Sequence, residues 1–258
     1  MKLAFLKSLL ELFLPRNKKL VIEGKKMIKN ALRVGAYLHH LEIESENPGA
    51  LAQFYSLAMD MKLEEISENN WLCCGTDRNI LITKGESNKL SYAAFACHDI
   101  DGLNNIRNRA QGAELEILES KSRFLKAGAF AVSDPDENII CFGLATPDKT
   151  VSKKLHAPLQ HLTFASKNVE NMVEFYEGKL GFFLSDRVLH ENGDLATAFM
   201  TSNHEHHTIA CFKANYNGID HHSYEAGNWM YIRDWCDHFS ELDIQLIWGP
   251  GRHGPGNN

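Results

Sequence analysis

An internal repeat constrains this chain more than any other feature. The segment Leu38-His39-His40-Leu41-Glu42-Ile43-Glu44-Ser45-Glu46-Asn47 is echoed by Leu159-Gln160-His161-Leu162-Thr163-Phe164-Ala165-Ser166-Lys167-Asn168. The pairs His40/His161, Leu41/Leu162, Ser45/Ser166, Asn47/Asn168, Phe54/Phe175, Tyr55/Tyr176 and Leu63/Leu184 all keep one offset of 121 positions. A gapless offset of this kind argues for duplication, and a duplicated unit has to build the same supersecondary structure twice. Each copy opens with the alternation of a half-buried strand and turns at Asn47-Pro48 or Asn168-Val169. It then takes helical spacing into a Phe-Tyr pair.

Short alternating runs follow in both copies. They predict strands over 71–74, 79–82 and 92–96 in the first copy, and over 196–200, 207–212 and around His222 in the second. Second helices are predicted over 100–111 and 229–242. The first copy closes with a strand over 130–133, the turn Asp134-Pro135-Asp136-Glu137-Asn138 and a strand over 139–144. This reads as an α+β protein of two tandem units: an extension over 1–36, a first domain over 37–144, a linker over 145–157 and a second domain over 158–258.

Charge and cysteine usage narrow the function. A net charge of -6, with no dense Lys/Arg run after Lys29, leaves no footprint for nucleic acid. The six cysteines lack CxxC pairs and read as buried thiols in a reducing compartment. The spacing Leu3, Leu6, Leu9, Leu10, Phe13 fits a short amphipathic helix, interrupted by Lys7 and Glu11. It is too broken for a membrane span or signal peptide, so it reads as an added helix or leader, with membrane-surface association as the alternative. The expected location is cytoplasmic. Thirteen histidines are unusual, and His204, His206, His207, His221 and His222 crowd one stretch.

A doubled β-α-β-β-β unit with a His in its opening strand and Asp-Pro-Asp-x-Asn before its closing strand resembles the vicinal oxygen chelate superfamily. With Trp248-Gly249-Pro250-Gly251-Arg252-His253-Gly254 downstream, the chain from Tyr37 to Asn258 resembles the type I extradiol dioxygenases. That resemblance implies meta cleavage of a catechol by dioxygen at non-haem Fe(II), with Mn(II) as an alternative, in a homo-oligomer with no membrane span. It implies His161 as one metal ligand and His222, in preference to His221, as a second. Two imidazoles and a carboxylate on one face of Fe(II) leave adjacent positions open for a chelating substrate and oxygen. The family's Glu ligand and closing strand are expected beyond Asn258, so that the chain reads as truncated; Asp220 and Glu225 flank His222 but do not match the pattern. The resemblance also implies His207 as an acid/base and His253 as a group lining the site.

In the first copy only His40 matches a ligand position. Residues near 93–95 stand opposite His222 and Cys141 takes the carboxylate position, so no iron is expected there. The apolar run over 196–200 suggests a hydrophobic catechol. A metal-dependent isomerase or lyase, and a non-catalytic small-molecule-binding paralogue, are the alternative readings.

Overall fold

Alternation of apolar and polar side chains places the first strand, β1 (Ala36–Ser45), in the middle of a sheet, with Ala36, Leu38, Leu41 and Ile43 buried. A computed structural model describes residues 34–147 and 155–250; the amphipathic segment around Leu3 to Phe13, most of the expected linker, and His253 lie outside the described residues. The first copy continues as α1 (Pro48–Ala58), β2 (Lys62–Ser67), β3 (Asn70–Gly75), β4 (Arg78–Lys84), β5 (Leu90–Cys97), α2 (Ile100–Gly112), β6 (Leu118–Glu119), β7 (Phe130–Ser133) and β8 (Ile139–Leu144). The second has β9 (Leu159–Ser166), α3 (Val169–Val173) running on as a π-helical segment (Glu174–Leu180), β10 (Phe183–Leu189), β11 (Leu195–Thr201), β12 (Ile209–Lys213), β13 (Gly218–Tyr224) and α4 (Trp229–Glu241).

The two copies form separate sheets of the same wiring. The eight-stranded sheet runs β2-β3-β4-β1-β5-β8-β7-β6 and the five-stranded sheet β10-β11-β12-β9-β13. In each, the opening strand lies between a parallel and an antiparallel neighbour: β1 between β4 and β5, β9 between β12 and β13. This is a mixed α+β architecture of two sheets built from βαβββ-like units.

The repeated Ser-x-Asn explains why both helices start where they do. Ser45 and Ser166 hydroxyls each accept from the backbone N–H two residues on, at 3.1 Å. Asn47 and Asn168 then accept from Ala50 N and Asn171 N, satisfying a donor that the first helical turn leaves orphaned. The copies diverge after that turn, where the second loosens into the π-helical segment and ends at Gly181, in the left-handed region at φ 87°. A side chain at Gly181 would collide with Arg109 of α2, which donates to the Glu177 and Gly178 carbonyls.

One apolar core runs through both copies. Phe182 meets Phe95 and Phe142 of the first sheet at ring separations of 5.9 and 6.4 Å, each buried ring contributing about 1.5–3 kcal/mol. Polar ties cross the same junction. Tyr176, fully buried, donates to Asp134 Oδ2 at 2.9 Å. The guanidinium of Arg78, also fully buried, donates to the carbonyls of Leu155, Ala157, Met59 and Asp60 and lies 5.2 Å from the Trp235 ring. Among the described residues no helix is long and apolar enough to cross a membrane.

Candidate metal centre and its cavity

Strand periodicity decides which histidines can meet. Along β9, His161 and Thr163 point to one face while Leu162 points into the core. Across the antiparallel pair, His221 stands opposite Thr163 and His222 opposite Leu162. Directly opposed residues share a face, so His221 joins His161 and His222 does not. The Nε2 atoms of His161 and His221 are 3.4 Å apart.

His222, the expected ligand, has different neighbours. Its ring stacks on Tyr55 of α1 at 5.9 Å, and its Nε2 lies 3.3 Å from the Tyr55 hydroxyl and 3.2 Å from that of Tyr224. Burial, with the neighbouring His221 adding to it, pushes the His222 pKa down to about 4, so it is a neutral link between the copies. A register shift between Ile219 and His221 sets the phase of this stretch, and both His221 and His222 line the neighbouring cavity.

Each clustered imidazole is oriented by the residue before it. The His161 Nδ1 is hydrogen-bonded to the Gln160 side-chain oxygen, and the Gln160 amide donates to the His207 carbonyl at 2.9 Å. The His221 Nδ1 lies 2.6 Å from Asp220 Oδ2. With the Nδ1 proton held in this way, each Nε2 presents its lone pair, and Thr163 Oγ1 sits 3.1 Å from that of His221. Asp220 therefore acts behind the imidazole, and neither Gln160 nor Asp220 stood out from sequence in that role.

His207 is buried two residues before β12, in the turn and not on the strand predicted to begin with it. Its ring lies 4.2 Å from that of His161 and 5.0 Å from Phe199, and its Nδ1 is 3.0 Å from His206 Nδ1. His204 is exposed beside Glu205, and His206 is half-buried beside Asp186. Glu225 stands next to Glu205, apart from the His161–His221 pair.

The equivalent place in the first copy differs in kind. His40 is buried, its Nδ1 2.7 Å from His39 Nδ1 and its Nε2 2.8 Å from the Ser122 hydroxyl. Burial, with His39 adding to it, holds its pKa well below the ordinary value. Ala94 faces it on β5, and Cys141 faces Ala94 on β8.

Two cis ligands at bond lengths of about 2.1 Å keep their nitrogens about 3 Å apart, close to the 3.4 Å between the Nε2 atoms of His161 and His221. Among the described residues no group of three or more His, Cys, Asp or Glu side chains is arranged to hold a metal. The pair opens into a cavity of about 900 Å³ that His207 also lines.

Residues 159–258 match the sequence model of the Glyoxalase/Bleomycin resistance protein/Dioxygenase superfamily. Metapyrocatechase 2 of Cupriavidus necator is 22% identical over 198 residues, covering 68% of this chain and 60% of the relative; the chain thus spans about three fifths of that curated protein. Similar solved structures include the 2,3-dioxygenase LapB from Pseudomonas sp. KL28, with TM-score 0.70, 18% identity and 84% of each chain covered. Homoprotocatechuate 2,3-dioxygenase from Brevibacterium fuscum, in complex with 3,4-dihydroxyphenylacetate, matches with TM-score 0.68 and 20% identity, covering 86% of this chain and 74% of the other. A Mn(II)-bound glyoxalase from Novosphingobium aromaticivorans matches with TM-score 0.68 and 19% identity, covering 86% and 75%.

Proposed function

We propose that this protein, whose residues 159–258 match the sequence model of the Glyoxalase/Bleomycin resistance protein/Dioxygenase superfamily, is an extradiol dioxygenase that opens a catechol ring with dioxygen. The observation that carries this reading is the pair of Nε2 atoms, 3.4 Å apart, each imidazole steadied at Nδ1 by the preceding side chain. His161 and His221 would hold a divalent metal, Fe(II) or Mn(II), whose adjacent open positions let a chelating catecholate and dioxygen meet when it is bound. The metapyrocatechase relative and the dioxygenase structures support that chemistry over another reaction of the superfamily.

The chain's own residues then divide the work. Gln160 and Asp220 fix the tautomer and aim of the ligands. Thr163 supports the His221 ring from the same face of the sheet. His207, packed against His161, accepts the catechol proton and returns it as the ring opens, at Nε2, since His206 engages Nδ1. The low-dielectric wall around it, Phe199 above all, strengthens that exchange by excluding water. His253 remains a proposed lining residue outside the described region. The first copy serves as a scaffold with no metal of its own, the His40 nitrogens being taken up by His39 and Ser122.

The test is to load the protein with Fe(II) without oxygen, add a catechol, and then admit oxygen. A yellow ring-opened product, formed only after oxygen enters and with one dioxygen consumed per ring, is expected. Turnover without oxygen, or oxygen uptake with no ring opening, would overturn the reading.

A further inference from the structure

The turn that carries His207 is fastened to the other copy. Residues 202–208 join β11 to β12, and Ser202, His207 and Thr208 are buried there although they belong to no strand. Buried backbone outside a sheet has to find its hydrogen-bond partners elsewhere. Here a closed ring of bonds reaches Ala36, the first residue of β1. The Ala36 N–H donates to the Ser202 carbonyl at 3.0 Å, and the Ser202 hydroxyl donates back to the Ala36 carbonyl at 2.7 Å. That uses the one Ser202 hydroxyl proton, so in the 2.9 Å contact between Ser202 Oγ and Thr208 Oγ1 the threonine is the donor. Thr208 Oγ1 in turn accepts from the Ser202 N–H at 3.2 Å. On its other side the turn is held to β9: the Thr208 carbonyl accepts from Leu162 N and the His207 carbonyl from the Gln160 amide.

The same joint occurs in reverse, where the Leu159 N–H at the start of β9 donates to the Asp77 carbonyl at 3.1 Å. There the turn between β3 and β4 is only Thr76-Asp77 and holds no histidine. The second copy thus pairs the joint with a longer turn, and the extra length carries His207. We propose that Ser202 is a positioning residue for His207: with Thr208 it anchors the turn to Ala36, so that the first copy sets where the His207 imidazole stands relative to His161. Ser202 does not line the cavity and acts through the turn. The kinetic consequence rests on the ring-cleaving reading, in which His207 is the acid/base; the geometric one rests on the hydrogen bonds alone. An acid/base works only within hydrogen-bond reach of its proton, and a misplacement of about 1 Å costs on the order of a hundredfold in rate.

Three variants test this. Ser202→Ala removes the anchor, Thr208→Val removes the second hydroxyl while keeping the side-chain shape, and Thr208→Ser keeps that hydroxyl; Thr208→Val also serves if Ser202→Ala does not fold. Ser202→Ala and Thr208→Val are each expected to lower kcat for a catechol about tenfold in the Fe(II)-loaded protein, with KM and Fe(II) affinity within about twofold, and Thr208→Ser to keep kcat within about threefold. In the metal-free protein the NOE between ring protons of His161 and His207, whose ring centroids lie 4.2 Å apart, is expected to weaken in the first two variants and persist in the third. An unchanged NOE or kcat in the first two variants would overturn the proposal, as would a parallel loss of kcat, Fe(II) affinity and cooperative unfolding. If the unaltered protein turns over no catechol, the ring-cleaving reading fails, and the NOE, read without metal or substrate, still upholds or overturns the positioning role.

Discussion

Removing the Tyr176 hydroxyl gives a stability loss whose size depends on pH in a defined direction. In Tyr176→Phe the lost contact is a 2.9 Å hydrogen bond from a fully buried hydroxyl to Asp134 Oδ2. Asp134 also accepts from the backbone N–H groups of Asp136 and Asn138 and from the Asn138 amide. Burial nevertheless pushes its pKa up from 3.8 to about 6, with those donors pulling the other way. A carboxyl whose folded pKa is raised contributes stability while protonated and loses it as pH rises through the folded pKa. A rise of about 2 units corresponds to a cost of about 3 kcal/mol between pH 4 and pH 7. The Tyr176 hydroxyl limits that cost by stabilising the anion. Its removal should therefore cost about 1 kcal/mol near pH 5, where the bond is largely neutral, and about 2–3 kcal/mol at pH 8, where it is charge-assisted. Urea unfolding of both proteins at the two pH values measures the difference. An equal loss at both, or a larger loss at pH 5, would refute the reasoning.

Other consequences are open to the same kind of test. Arg78→Ala leaves buried carbonyls of Leu155, Ala157 and Met59 without their donor and removes the group lying over Trp235. A loss of about 3–5 kcal/mol is expected, visible as a fall in Tm of roughly 10 °C by calorimetry; a fall under about 2 °C would contradict the role given to Arg78. Gln160→Leu and Asp220→Ala free the His161 and His221 imidazoles to rotate, and on the proposed metal site each should weaken metal binding about 10–100-fold with little change in unfolding midpoint. Unchanged metal affinity in both would remove the orienting role.

Much of this arrangement was legible in the sequence, for identifiable reasons. The offset pairing His40 with His161 located both opening strands, and the paired Ser-x-Asn turned out to cap both helices. Strands β3, β4, β5, β8 and β11 alternate or run apolar and fall within a residue or two of expectation. By contrast β2, with the sequence Lys-Leu-Glu-Glu-Ile-Ser, is an edge strand that buries little, so it carries weak periodicity. The choice between His221 and His222 turned on the phase of β13, and a bulge shifts that phase by one residue without any mark in composition. The orienting roles of Gln160 and Asp220 went unread, although Asp220 had been noted beside His222, because an orienting acceptor has no spacing of its own; its one signal is that it directly precedes the histidine it holds.

The central claim is that His161 and His221, and not His222, hold the metal. Anaerobic Fe(II) titration of the unaltered protein, His221→Ala and His222→Ala tests it most directly. His221→Ala should weaken binding by about 100-fold or more, since it removes a ligand outright, while His222→Ala, which loses a neutral contact to Tyr55 and Tyr224, should stay within about threefold. Loss of the metal in His222→Ala with binding retained in His221→Ala would contradict the account.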